Sequence, residues 1–297
     1  MDDASAKEPA AIVEQNGWRL RLPKSPLQFE DARLLEYRHP AEHTMLVLAL
    51  VAIAFLVALA VRFREKDILL AGGAIYLSML ISSLQSITYN RLEGAEVTPT
   101  QFPAIYRMVE ELRQRFHAPP TRVFVLRKLS FKAEAMGLIP PYVIVLPSIL
   151  LDAIDLEDLR YVLGQALGHI CFGHTRTTLL VGGEQSELPV FLSSVAWLRD
   201  LVFAGYWRAG VMTGDRAGIV ACGSVSKAIR TQVKISIGTK QLPDVRAEDL
   251  IEQAFKLNRG LSRIQAPLIR WRSPIPPLIP RLEAMVAWAG LPLKETR

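Results

Sequence analysis

The sequence is poor in the residues that make cross-links and catalytic clusters easy to find. Among its 297 residues there are two cysteines, Cys171 and Cys222, and five histidines. Two cysteines cannot build a disulfide framework, and these two do not form a C-x-x-C pair. They read as small buried apolar residues. No basic start followed by an apolar run opens the chain, so residues 1–16, polar and aperiodic, read as a mobile tail rather than a signal peptide. No basic run is interleaved with aromatic residues, and no glycine-rich RNA-binding signature occurs, which argues against nucleic acid as a partner.

Apolar sequence, by contrast, is abundant. Half of the residues are hydrophobic, and the mean hydropathy is +0.21. Two stretches account for much of this. Thr44 to Val61 and Ile68 to Ile87 carry no charge, and each is close to the roughly 20 residues that cross a hydrocarbon core as a helix. The charged link Arg62 to Asp67 joins them. The competing reading is a pair of buried core helices, but such helices rarely stay uncharged all round for so long. The expected organisation is a tail and juxtamembrane segment over residues 1–43, a transmembrane helical hairpin over 44–88 and a folded domain over 89–297. A hairpin leaves both chain ends on one side, and the distribution of Lys and Arg around it favours the cytoplasmic side. Lys and Arg outnumber Asp and Glu, 35 to 29, which makes anionic membrane lipid an expected partner.

Outside the hairpin the pattern is that of an α+β fold, mostly helical with a small sheet. Before it, Trp18 to Leu22 alternates as a strand does, and Pro26 to Tyr37 suits an amphipathic helix. After it, Phe102 to Phe116 has helical spacing and is ended by Pro119 and Pro120. Thr121 to Leu126 and Tyr142 to Leu146 read as strands, and Pro147 to Leu151 as the start of a short helix. Leu156 to about His174 reads as a helix with acids in its first turn. Further helices are expected over Glu187 to Ala221, Asp249 to Ile264 and Arg281 to Ala289, the last following a proline-rich loop, Pro274 to Pro280. Leu188 to Leu198 is strongly apolar but too short to span; interface and partner contact are open, with core as the default.

Chemistry centres on Asp155 to His174. This segment resembles the zinc-binding helix of the HtpX-like, CAAX-prenyl-protease-like membrane metallopeptidases, which carries H-E-x-G-H. In that motif two histidines four apart share a helix face and hold Zn²⁺, and the glutamate is general base on the metal-bound water. Here the five positions read Gln165-Ala166-Leu167-Gly168-His169. The family's third ligand, a glutamate, opens the pattern E-x-x-A-D-R-A-G; here the stretch is Val211-Met212-Thr213-Gly214-Asp215-Arg216-Ala217-Gly218. The family's T-H-P-P-x-x-x-R segment is similar to Ser273 to Arg281, with Ile275 at the histidine position. Its substrate-edge segment N-A-x-A-x-G is similar to Lys132 to Gly137. The resemblance runs from about Glu96 to Trp288 and implies a zincin-like metallopeptidase domain.

At Gln165, Ala166, Val211 and Ile275 the family's chemistry is missing. The resemblance therefore implies a degenerate member: no catalytic residue, no bound metal, and zinc absent although the family uses it. On a continuous helix Cys171 and His174 lie off the face of His169, so neither is expected to rebuild a site. His169 is expected to be a hydrogen-bonded core histidine and His174 a surface or helix-end one; His39, His43 and His117 are too scattered to argue from. In the family the aspartate at the place of Asp215 orients the first zinc histidine, so a Gln165–Asp215 hydrogen bond is expected as its remnant, with Arg216 pairing locally. The expected function is that of an inactive interaction or scaffolding subunit in a membrane protein complex, partnered by other membrane proteins or further copies, in a bacterial inner membrane. The alternative is a zinc endopeptidase with relocated ligands.

Overall fold

The computed structural model of the chain describes residues 11–15, 18–22, 34–181, 193–246, 249–250, 253, 273 and 275–290. The hairpin is present as two long helices, α1 (Ala41–Arg62) and α2 (Lys66–Glu93). Each has the length and composition of a membrane span, and almost none of either apolar stretch is covered by the rest of the chain. Apolar side chains left bare over such lengths need a non-aqueous surrounding. Both helices extend past the uncharged runs, α1 by three residues at its start and α2 to Glu93.

The N-terminal region departs from expectation. Ala11–Gln15 forms strand β1, antiparallel to β2 (Trp18–Leu22), where a mobile tail is predicted. The intervening Asn16-Gly17 is a pair favoured in two-residue hairpin links. Of the helix expected over Pro26 to Tyr37, residues 34–37 form one 3-10 turn and the rest lies outside the described residues.

The folded domain has a four-stranded sheet in the order β3-β4-β6-β5. The parallel pair β4 (Thr121–Leu126) and β6 (Tyr142–Pro147) are the two strands legible in the sequence. β6 is buried along its whole length, as a central strand covered on both faces must be. β3 (Ala95–Glu96) and β5 (Glu134–Met136) add antiparallel edges. Helices α3 (Pro103–Arg115), α4 (Ser148–Ala153) and α5 (Leu156–Cys171) pack beside the sheet. Asp155 caps α5 by accepting from the Asp158 backbone N–H at 2.9 Å. Helices α6 (His174–Leu180), α7 (Ser193–Cys222), α8 (Val225–Ile237) and α9 (Leu278–Trp288) complete the domain. The helix expected over Asp249 to Ile264 and Pro274 of the proline-rich loop lie almost wholly outside the described residues.

One core unites the β4–β6 face with α3, α5, the C-terminal half of α7, α8 and α9. Its centre is the α5–α7 contact. A Cβ built on Gly168 would come within 2.5 Å of the Ala217 Cβ, and one on Gly164 within 2.3 Å of the Ala221 Cβ. Only bare glycine lets the two helices lie this close. A second cluster joins α1 to α7: Ala49 packs with Phe203, Tyr206 and Trp207, and Met45 and Leu46 close over it. The α7 stretch just after the apolar run Leu188 to Leu198 is thus packed on a membrane-length helix rather than on the central core. The side chains of Leu188 to Leu198 themselves lie outside the described residues.

Candidate functional site

The segment resembling a zinc-binding helix lies on the face of α5 that meets α7. Asp215 is the hub, almost fully buried. Gln165 Nε2 donates to its Oδ1 at 2.6 Å, the contact expected from the sequence. Tyr161 Oη donates to the same oxygen at 3.0 Å and accepts from Gln165 Nε2 at 2.9 Å. Arg281 of α9 grips both carboxylate oxygens, Nε to Oδ2 at 3.0 Å and Nη2 to Oδ1 at 2.6 Å. Such a two-pronged pair matches guanidinium geometry to carboxylate geometry. Three helices therefore converge on one carboxylate. Burial pushes the Tyr161 phenol well above its usual range, and the Asp215 charge adds to it. In the sequence Arg281 is only the last residue of the Ser273 to Arg281 pattern, with nothing to assign it a role. Arg216, by contrast, turns away from Asp215. Its Nη1 donates to the carbonyls of Tyr37 and Arg38 at 3.1 and 3.2 Å, and its guanidinium lies over the Trp288 ring.

His174 is the main correction. α5 does not run on to it: the helix ends at Cys171, and Gly173, with φ of +79°, turns the chain before α6 begins at His174. The turn resets the angular phase that a continuous helix would impose, and it brings His174 beside His169. Their Nδ1 atoms are 2.8 Å apart. His174 is buried, not a surface residue. Its Nε2 lies 2.9 Å from Oε1 of Glu42, in the first turn of α1. Glu42 Oε2 accepts from Thr213 Oγ1 of α7 at 2.7 Å, and Arg38 stands 3.4 Å from Oε1. One proton arrangement satisfies the chain: His169 donates from Nδ1 to His174 Nδ1, which donates from Nε2 to the Glu42 carboxylate. Burial holds the His169 imidazole well below its ordinary range, and the neighbouring His174, Lys132 and Arg281 add to that. His169 is thus hydrogen-bonded, as expected, but half-buried at the cavity wall rather than in the core, and with partners that the sequence did not suggest.

Both imidazoles rest on bare α7 backbone. A Cβ on Gly214 would stand 2.7 Å from His169 Nε2, and one on Gly210 would stand 3.5 Å from the His174 ring. Gly214 occupies the alanine position of the E-x-x-A-D-R-A-G pattern. The space that an alanine methyl would take is filled here by His169. Of the remaining positions, Ala166 is 2% exposed and packed in the core. Val211 lines a cavity, and Ile275 is exposed. Among the described residues no three His, Cys, Asp or Glu side chains are placed to hold one metal ion. His39 and His43 stand four apart, but His43 is exposed and bonds Arg38 while His39 precedes the helix.

The cavity has a volume of about 110 Å³. Its walls are β5, one face of α6, one turn of α7 and the α2 serines Ser83 and Ser86; His169 and His174 also line it. β5 pairs with β6 on one side and ends the sheet on the other. Thr175 Oγ1 and Trp207 Nε1, both on lining residues, are buried without a hydrogen-bond partner among the described residues.

A membrane hairpin, a helix in the place of a zinc-binding helix, and an edge strand beside a cavity are the frame of a membrane metallopeptidase. The family model described as peptidase family M48 matches residues 99–289. The chain belongs to peptidase family M48. Among curated proteins it is similar to a "Protease HtpX homolog" of Acaryochloris marina, 27% identical over 188 residues, which is 61% of each chain. A protein of the same description from Acidiphilium cryptum is 30% identical over 177 residues, 57% of this chain and 58% of the relative. One from Streptococcus pyogenes is 29% identical over 99 residues, 33% of each. The chain therefore spans about three fifths of the length of the first two relatives. This M48 member is a membrane protein of the HtpX-like kind, with a mostly helical domain and a small sheet behind two apolar helices.

Proposed function

We propose that this M48 member is a catalytically inactive, membrane-anchored homologue of the metallopeptidases that uses the peptidase frame to bind, as an interaction or scaffolding subunit of a membrane protein complex. The observation that carries the reading is the 2.6 Å bond from Gln165 to Asp215. A carboxamide stands where the family pattern has a metal-binding imidazole, and its NH₂ group is committed to the carboxylate. The bond joins α5 to α7, the tie that a shared metal ion makes between such helices. Ala166 has no proton to exchange at the general-base position, and Val211 offers no lone pair at the third. The glycine at 214 supports the same reading, because His169 has settled into the room it leaves with Nε2 against the α7 backbone. This donor set does not fit a family-type zinc ion, so the proposal includes no metal cofactor. His169, His174 and Glu42 are the one set that an endopeptidase with relocated ligands would use. They form a row of hydrogen bonds, not a ring around one point.

The groove supports a binding role. An open strand edge takes up extended peptide through main-chain hydrogen bonds. Trp207 and Thr175, whose N–H and hydroxyl are buried without a partner among the described residues, stand in the cavity wall. The proposed setting is a bacterial inner membrane, with the domain on the cytoplasmic face and protein rather than nucleic acid as partner.

The test uses the full chain purified without chelator. Elemental analysis finding less than about a tenth of a zinc per chain, with no turnover of unfolded protein substrates, is the expected result. Near one tightly held zinc per chain, or hydrolysis that a chelator abolishes, would sink the reading. Recovery of one stoichiometric membrane partner would assign it to a complex; recovery of many extended peptides would assign it to holding them.

A further inference from the structure

Among the described residues beyond α2, the two loops that flank β5 carry the two most exposed large apolar side chains. Leu129 is 93% exposed and Ile139 is 72% exposed, with Phe131 and Leu138 beside them in sequence and also open. Large apolar side chains at loop tips are costly in water unless something covers them. The fold places these tips beside the membrane hairpin. Asn90 of α2 donates to Met136 Sδ of β5 at 3.4 Å. Ile87 packs against the sheet cluster that holds Phe124 and Val145, as Met136 does. Ser83 and Ser86 share a cavity with Lys132 to Gly137. The uncharged run of α2 ends at Asn90, before Arg91, so β5 sits level with the last turn of that run. At about 1.5 Å of rise per residue, Ser83 lies roughly 10 Å inside that boundary. Tyr89, in the last turn of that run, is exposed, as suits an aromatic side chain at headgroup depth. Between Arg127 and Pro141 the charged residues are Arg127, Lys128, Lys132 and Glu134, and Lys128 pairs with Glu134 at 2.6 Å. The loop tips are therefore apolar with a basic collar, the composition that settles into an anionic lipid interface.

We propose that the loops around Leu129 and Ile139 dip into the headgroup layer of an anionic bilayer, a second membrane contact that holds the β5 edge at the membrane surface. The continuity of this patch with the lipid-facing side of α2, and its excess of positive charge, select lipid as the occupant. The inference does not depend on whether the site is inactive.

The test is fluorescence of the full chain reconstituted in vesicles of phosphatidylcholine with phosphatidylglycerol. A polarity-sensitive thiol dye is placed in turn at L129C and I139C, with unsubstituted chain as the labelling blank. L56C on α1 serves as a control within the bilayer. Q114C, on the exposed face of α3, serves as a control in water. Lipids brominated near the headgroup should quench the dye at 129 and 139 several-fold more than at 114. Quenching no greater than at 114 would overturn the proposal. Blue-shifted emission without lipid quenching would overturn it too, since a second copy or another protein would then cover the loops. Equal quenching in phosphatidylcholine alone would remove the basic collar from it.

Discussion

Nε2 of His174 lies 2.9 Å from Oε1 of Glu42, so the first turn of a membrane-length helix is bonded to the first residue beyond the α5 break. Glu42 is only 1% exposed, and its other oxygen holds Thr213. E42A leaves the His174 imidazole N–H buried without its acceptor, while the Thr213 hydroxyl can turn to the Ala209 carbonyl at 3.1 Å, at a cost of about 1–3 kcal/mol. E42Q keeps an amide oxygen in place and should cost less. The thermal midpoint of the full chain in detergent should fall in the order wild type, E42Q, E42A. Equal midpoints would mean that the carboxylate is not engaged there.

The Asp215 hub predicts unequal losses among its partners. D215A strands the Arg281 guanidinium, gripped at 2.6 Å, inside the fold. That should cost about 3–5 kcal/mol, and replacing the arginine as well, in D215A/R281M, should recover much of it. Q165A removes one neutral donor and should cost about 1 kcal/mol. A double-mutant cycle on denaturant midpoints checks the ordering. A D215A variant no weaker than Q165A would show that the ion pair does not hold α9.

Acid should destabilise the chain through His169. Burial sets its folded-state pKa well below the ordinary 6.5. As pH falls through that ordinary value, the unfolded chain takes up a proton that the folded one refuses. Stability is therefore full above about 6.5 and declines below it, by up to about 1.4 kcal/mol per pH unit for this one group. H169N should flatten the decline between about pH 6.5 and 5.5. An unchanged slope would assign the acid sensitivity to other groups.

The elements with strong periodicity were legible in the sequence: the two uncharged helices, β4 and β6, α3 and α5. β3 and β5 were not, because strands of two and three residues have no period to detect. The Gln165–Asp215 bond was legible because both residues fall inside family patterns. Glu42 was not, since an acid at the foot of an apolar helix reads as a charge near the helix start, and nothing local says that it is buried. His174 was placed wrongly for one reason: a helix carried through Gly173 gives it the wrong phase. Arg281 lies 66 residues from Asp215, a separation at which no local pattern speaks.

The α5–α7 contact yields a sharper test. G168A puts a methyl 2.5 Å from that of Ala217, an overlap worth about 1–3 kcal/mol of destabilisation. The nearest other atom is a Phe172 ring carbon at 3.9 Å. G168A/A217G should therefore regain most of the loss, which unfolding midpoints of the two variants can check. If the double variant is no better than the single, the helices have already moved apart.

That contact also bears on how the chain can drift. Residues 168 and 217 are 49 positions apart in sequence, yet there is room for only one methyl between them. In descent they count as one character, and a substitution at either is neutral only in a lineage that has already changed the other.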